Sequence, residues 1–123
     1  MKITLAQLNF HTGHFEQNKN KIINTLESAK AAGSELVVFP ELAICGYPPR
    51  DFLEFRHFID SCEASIREIA QACTGIAAII GTPSLNPYSR GKRLFNAAYF
   101  LEDGTIRQKI NKALLPTYDI FDE

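Results

Sequence analysis

Two residues of this sequence stand where an enzyme would hold a proton carrier and a fixed cation. Glu41 follows the run Leu36-Val37-Val38-Phe39-Pro40, so a carboxylate comes directly after a β-favouring segment. Active sites of α/β sheets gather at the carboxyl ends of their strands. Partial burial there would raise a carboxylate's proton affinity and suit it to general-base work. Taken alone, an exposed loop glutamate or a helix-cap partner is the commoner reading of such a residue. Lys112 sits in Asn111-Lys112-Ala113-Leu114-Leu115-Pro116, just past a strand ending near Ile110. An ammonium so placed can face a carboxylate and a developing oxyanion, though most lysines are simply solvated.

A nucleophile is harder to find. The cysteines are Cys45, Cys62 and Cys73, with no CxxC pair among them. Three thiols at that spacing suit neither a disulfide framework nor a zinc site. Reduced thiols are the simpler reading. Cys62 and Cys73 share the apolar stripe of one helix and read as core. Cys45 lies four residues past Glu41 in a Gly-Tyr-Pro loop, with no helix N-terminus beside it to stabilise a thiolate. His11, His14 and His57 are too scattered to form a metal set.

These candidates need elements to position them. A first strand is expected over Lys2–Asn9, with Ile3 and Leu5 on one face and Thr4, Ala6 and Leu8 on the other. Phe15, Ile22, Ile23, Leu26 and Ala29 recur at helical spacing and predict a helix over Phe15–Ala32, stopped by Gly33. Leu36–Phe39 reads as a strand buried on both faces, giving a βαβ-like start. Ile59, Cys62, Ile66, Ile69 and Cys73 predict a second helix over Phe58–Cys73. Ile76–Ile80 reads as another buried strand, closed by Gly81-Thr82-Pro83. Ser84–Lys92 reads as an exposed loop. Leu94–Leu101 and Thr105–Ile110 form a hairpin about Asp103-Gly104, a strong two-residue turn signal.

A chain of 123 residues has room for one domain with a real core. Its 46% apolar and 22% charged residues are ordinary for a globular protein. A formal net charge of −1 argues against a nucleic-acid partner. No apolar run reaches the length of a membrane span, and the N-terminus lacks a signal-peptide core. The tail from Leu114 to Glu123 has no closing element, so the terminus reads as a cut.

Taken together, the motifs resemble those of the nitrilase superfamily. They are Ile3 to Asn9, Phe39-Pro40-Glu41-Leu42, Gly46-Tyr47-Pro48, and a hairpin leading into Lys-x-x-Leu-Pro-Thr-Tyr-Asp-x-Phe-Asp-Glu from Lys112 to Glu123. That last segment is most similar to the glutaminase domain of glutamine-dependent NAD synthetases. The resemblance covers essentially the whole chain and makes residues 1–123 the N-terminal part of a carbon-nitrogen hydrolase domain. It implies an α/β fold, the first half of a four-layer αββα sandwich with both helices on one sheet face.

It also implies a Glu-Lys-Cys triad, with Glu41 as base and then acid and Lys112 supporting the tetrahedral intermediate. Tyr47 and Tyr118 would line the glutamine pocket. Glu41 and Lys112 are expected within about 4 Å of each other, the ion-pair limit, at the carboxyl ends of neighbouring strands. The nucleophilic cysteine of the resemblance follows the lysine segment, yet no cysteine follows Cys73. The chain as given is therefore expected to be inactive. No cofactor is expected in it. ATP and Mg belong to the synthetase domain, where ammonia converts nicotinic acid adenine dinucleotide to NAD. The implied partners are glutamine, that synthetase domain and further copies of the chain, in the cytoplasm. Two rivals stand: a stand-alone amidase such as an ω-amidase or carbamoylase, and a non-catalytic assembly module.

Overall fold

A computed structural model of the chain describes residues 1–11, 14–40, 43–44, 56–85 and 94–111. The order is β1 (Ile3–Leu5), α1 (Phe15–Ala31), β2 (Leu36–Val38), α2 (Arg56–Ala72), β3 (Ala77–Leu85), β4 (Leu94–Glu102) and β5 (Thr105–Asn111). The strands form one sheet in that same order. β1, β2 and β3 run parallel, while β4 and β5 return antiparallel. This is an α/β fold.

α1 forms where its periodicity predicts. Ile22, Leu26 and Ala29 are buried along one stripe. Its end is a Schellman turn, in which Gly33 adopts φ +86°. Gly33 N–H donates to Lys30 O at 3.0 Å and Ser34 N–H to Ala29 O at 2.9 Å, which satisfies carbonyls the helix leaves open. α2 buries Ile59, Cys62, Ile66 and Ile69, with Cys73 just beyond it. Lys19 of α1 bridges Glu16 at 2.9 Å and Glu68 of α2 at 2.6 Å, an exposed pair of contacts of small energetic weight. Among the described residues no helix is long and apolar enough to cross a membrane.

The register separates the two faces of the sheet. Ala6, Val37, Phe39, Ala78, Ile80, Ala97, Tyr99 and Leu101 alternate onto one face and join the buried stripes of both helices in a single core. The opposite face carries Leu36, Val38 and Ile79, each half-buried, and Ile3, Leu5 and Ile110, each more than half exposed. Both helices therefore cover one face. The expectation that Leu36–Phe39 is buried on both sides fails within the described residues: Val37 and Phe39 are buried, but Leu36 and Val38 are not. A strand with helices on one face only buries alternate residues.

Two strand boundaries also differ from expectation. β1 pairs only from Ile3 to Leu5, although Ala6 N–H still donates to Val38 O at 2.9 Å. β3 does not stop at Gly81-Thr82-Pro83 but runs on to Leu85, paired with β4 through Leu85↔Leu94. Proline is tolerated there because β2 pairing ends at Ile79, so no N–H is needed on that side. The β4–β5 turn is as expected. Asp103 and Gly104 hold φ of 54° and 77°, the two positive angles a type I′ hairpin turn requires.

Candidate functional site

Glu41 and Lys112, the expected base and cation, lie just outside the described residues, as do Tyr47, Tyr118 and Cys45. What is described is the frame on either side of them. At the exit of β2, Phe39 N–H donates to Ile79 O at 3.0 Å and its side chain is buried. Pro40 follows, half-buried. Backbone bond and buried ring together fix where the chain leaves the sheet immediately before Glu41. The other exit is Asn111, the last residue of β5, directly before Lys112.

Strand directions put both exits at one end of the sheet. β5 is antiparallel to β4, which is antiparallel to β3, so β5 points the same way as β2. Val38 is level with Ile79. Asn111 pairs with Ala97, and Ala97 with Thr82, three residues further toward the same end. The two strands are not neighbours, which corrects that part of the expectation. β3 and β4 lie between them, a separation of roughly 14 Å at ordinary strand spacing. Glu41 and Lys112 thus follow, in sequence, strands that share one end of the sheet without being neighbours.

The lysine described on β5 is Lys109, two residues before the exit. Its Nζ lies 5.9 Å from the centre of the Tyr99 ring. Partial desolvation lowers its proton affinity, and the Glu63 charge opposes that shift. It faces the helices, on the side of the sheet away from Ile110.

The described cysteines are core residues, as their helical stripe predicts. Cys62 and Cys73 are free thiols with no exposed surface. Burial pushes the Cys73 thiol from 9.0 up to about 11, so it stays protonated at neutral pH and is no nucleophile. The neutral thiol is thus favoured by folding. Its contribution to stability is complete below pH 9.0 and is lost as pH rises toward about 11. Iodoacetamide at pH 8 is expected to leave both thiols unmodified in the native chain and to alkylate both in denaturant, as read by mass. Rapid native modification of Cys73 would contradict this placement. Among the described residues no three His, Cys, Asp or Glu side chains could hold a metal ion.

One polar residue missed from the sequence is buried against the segments that follow β1 and β2. Asn18, on the inward stripe of α1, has no exposed surface. Its Oδ1 accepts from His11 N–H at 3.1 Å, and its Nδ2 donates to His11 O at 2.9 Å and to Ile44 O at 3.1 Å. Its signal was available: it stands four residues before Ile22 and eight before Leu26, a polar residue in an apolar register.

The profile of the carbon-nitrogen hydrolase family matches residues 2–121. The chain belongs to the carbon-nitrogen hydrolase family. A glutamine-dependent NAD(+) synthetase from Synechocystis sp. is 42% identical over 125 aligned positions. The alignment takes in 98% of this carbon-nitrogen hydrolase chain and 22% of that protein. The chain thus spans less than a quarter of the length of such curated relatives. Among solved structures, a glutamine-dependent NAD(+) synthetase from Cytophaga hutchinsonii matches with TM-score 0.84 and 27% identity, over 93% of this chain and 19% of that one. A mutant amidase from Nesterenkonia sp. AN1, with acrylamide added at its active-site cysteine, matches with TM-score 0.78 and 22% identity. That match covers 98% of this chain and 47% of the amidase, and it shows the nitrilase fold.

Proposed function

We propose that this chain is the opening part of the glutaminase domain of a glutamine-dependent NAD synthetase. The observation that carries the reading is 42% identity with such a synthetase along 98% of the chain; among solved structures two such synthetases are 27% and 29% identical and the Nesterenkonia amidase 22%. The fixed strand exits before Glu41 and Lys112, at one end of the sheet, support the placement of a site there.

In this reading the nucleophile is a cysteine outside the 123 residues, as the active-site cysteine of the Nesterenkonia amidase suggests. Glu41 takes the thiol proton as sulfur attacks the side-chain amide carbon of glutamine. Lys112 faces the oxygen as it becomes an oxyanion. Glu41 then returns the proton to the leaving nitrogen, and ammonia departs. Water, with its proton taken by Glu41, releases glutamate from the thioester. Tyr47 and Tyr118 line the pocket that holds the amino acid. The ammonia serves a synthetase domain that uses ATP and Mg to convert nicotinic acid adenine dinucleotide to NAD. The protein works as a homo-oligomer in the cytoplasm.

The test uses the complete protein that contains this sequence. NAD formation is measured with glutamine and, separately, with ammonium as nitrogen source. Synthesis from both, with glutamate released in step with NAD, is the expected result. Glutaminase-free synthesis, or hydrolysis of other amides with no NAD formed, would favour the stand-alone amidase or the assembly module. An ATP-pyrophosphatase loop of Ser-Gly-Gly-x-x-Ser type in the same reading frame marks the synthetase.

A further inference from the structure

The buried amide of Asn18 has a role that packing alone does not explain. A buried amide must have its polar atoms matched, or it carries its full desolvation penalty. Among the described residues Asn18 is matched by backbone: one N–H and two carbonyls. Those groups set the amide's orientation, because an N–H can only donate and a carbonyl can only accept. One acceptor and a two-hydrogen donor on adjacent branches are what asparagine supplies. A carboxylate of the same shape would turn an oxygen on two carbonyls.

The groups it joins come from two different loops. His11 belongs to the segment that follows β1, and Ile44 to the segment that follows β2. Lys21, on the same helix, donates from Nζ to Asn9 O at 2.6 Å and holds the first of these segments again. Ile44 stands three residues after Glu41 and three before Tyr47. The side chains of Ala43 and Ile44 are buried. They hold residues 43–44 in depth, while the bond to Ile44 O fixes the backbone direction there.

We propose that Asn18 is a positioning residue for the glutaminase site. Its amide ties the backbone at Ile44, the described residue that stands in sequence midway between the proposed base Glu41 and the proposed pocket residue Tyr47. The role rests on the functional reading above, and its test is built to separate the two.

In the complete protein, Asn18→Asp and Asn18→Ala are compared with wild type for glutamine-supported and ammonium-supported NAD formation. Small displacements of reacting groups can cost up to about 10²-fold. Asn18→Asp is expected to lower the glutamine-supported kcat about 10- to 100-fold and to leave the ammonium-supported rate unchanged. Lowering the pH should return part of the loss, since a protonated carboxyl regains an O–H for Ile44 O. Asn18→Ala, which introduces no charge, should lose about tenfold with no such recovery. If Asn18→Asp fails to fold, its ammonium-supported rate falls too, and Asn18→Ala carries the test. Wild-type kcat and KM for glutamine in Asn18→Ala would overturn the proposal. If wild type itself does not hydrolyse glutamine, the functional reading has failed instead. Hydrogen exchange over residues 43–44 then still reads the tie: about tenfold faster exchange in Asn18→Ala supports it, and unchanged exchange overturns it.

Discussion

Glu41→Gln in the complete protein is expected to lower glutamine turnover by about 10²- to 10⁴-fold, the range general acid–base catalysis commonly supplies. The variant keeps the side chain's volume and can still accept and donate hydrogen bonds. It cannot take a proton from a thiol or return one to departing ammonia. The substitution should leave the fold alone, because the chain entering this position is held independently. Phe39 is buried and its N–H is bonded to Ile79 O at 3.0 Å. Stability should therefore change by no more than about 1 kcal/mol, since the substitution keeps the size and shape of the side chain. Synthesis from ammonium should be unaffected. Initial-rate assays with each nitrogen source, alongside a thermal melt, check all three expectations. Turnover within threefold of wild type would remove Glu41 from the role of base.

The parts of the fold legible in the sequence are those where a local pattern meets a local cause. Ile22, Leu26 and Ala29 recur at helical spacing and are buried. Asp103-Gly104 forms the turn its residue types allow. Ile59 to Cys73 faces inward as one stripe. The errors arise where a neighbour decides. Whether Leu36 and Val38 are covered depends on what packs against the second face, and an apolar run does not tell one covered face from two. How far β3 extends depends on β4 rather than on Pro83, since pairing through Leu85↔Leu94 outlasts the local turn signal. The candidate site follows the same rule. Phe39-Pro40-Glu41 marked a strand exit correctly, but strand order is not written in any local motif. The exits of β2 and β5 therefore looked adjacent when two strands separate them. The partners of Asn18 are hidden from the sequence for a related reason. Its value comes from His11 on one side and Ile44, 26 residues away, on the other.

The 123-residue chain on its own is expected to self-associate through the sheet face that the helices leave open. Register makes that face continuous. Leu5 pairs with Val38, Val38 with Ile79 and Ile79 with Phe100, an apolar row across four adjacent strands. Ile3 and Leu36 lie on the same face at one end, and Ala98 and Ile110 at the other. Ile3, Leu5 and Ile110 are 51%, 69% and 58% exposed, and two of these three sit on β1 and one on β5, the strands at the sheet's edges among the described residues. Such a surface amounts to several hundred Å², on the order of the patches that mark interfaces or aggregation sites. Fully burying one of these side chains is worth about 1.5–3 kcal/mol, so a handful can offset the entropy of association. Charges at its margins should reverse the tendency while sparing the core, because Leu5 and Ile110 are already in water. Light scattering on the purified chain is expected to give a mass above the monomer at tens of micromolar, roughly where several such side chains would drive pairing. Leu5→Glu with Ile110→Glu should return it to the monomer with its far-ultraviolet circular dichroism unchanged. A wild-type chain that remains monomeric at high concentration and melts cooperatively would show that this face tolerates water.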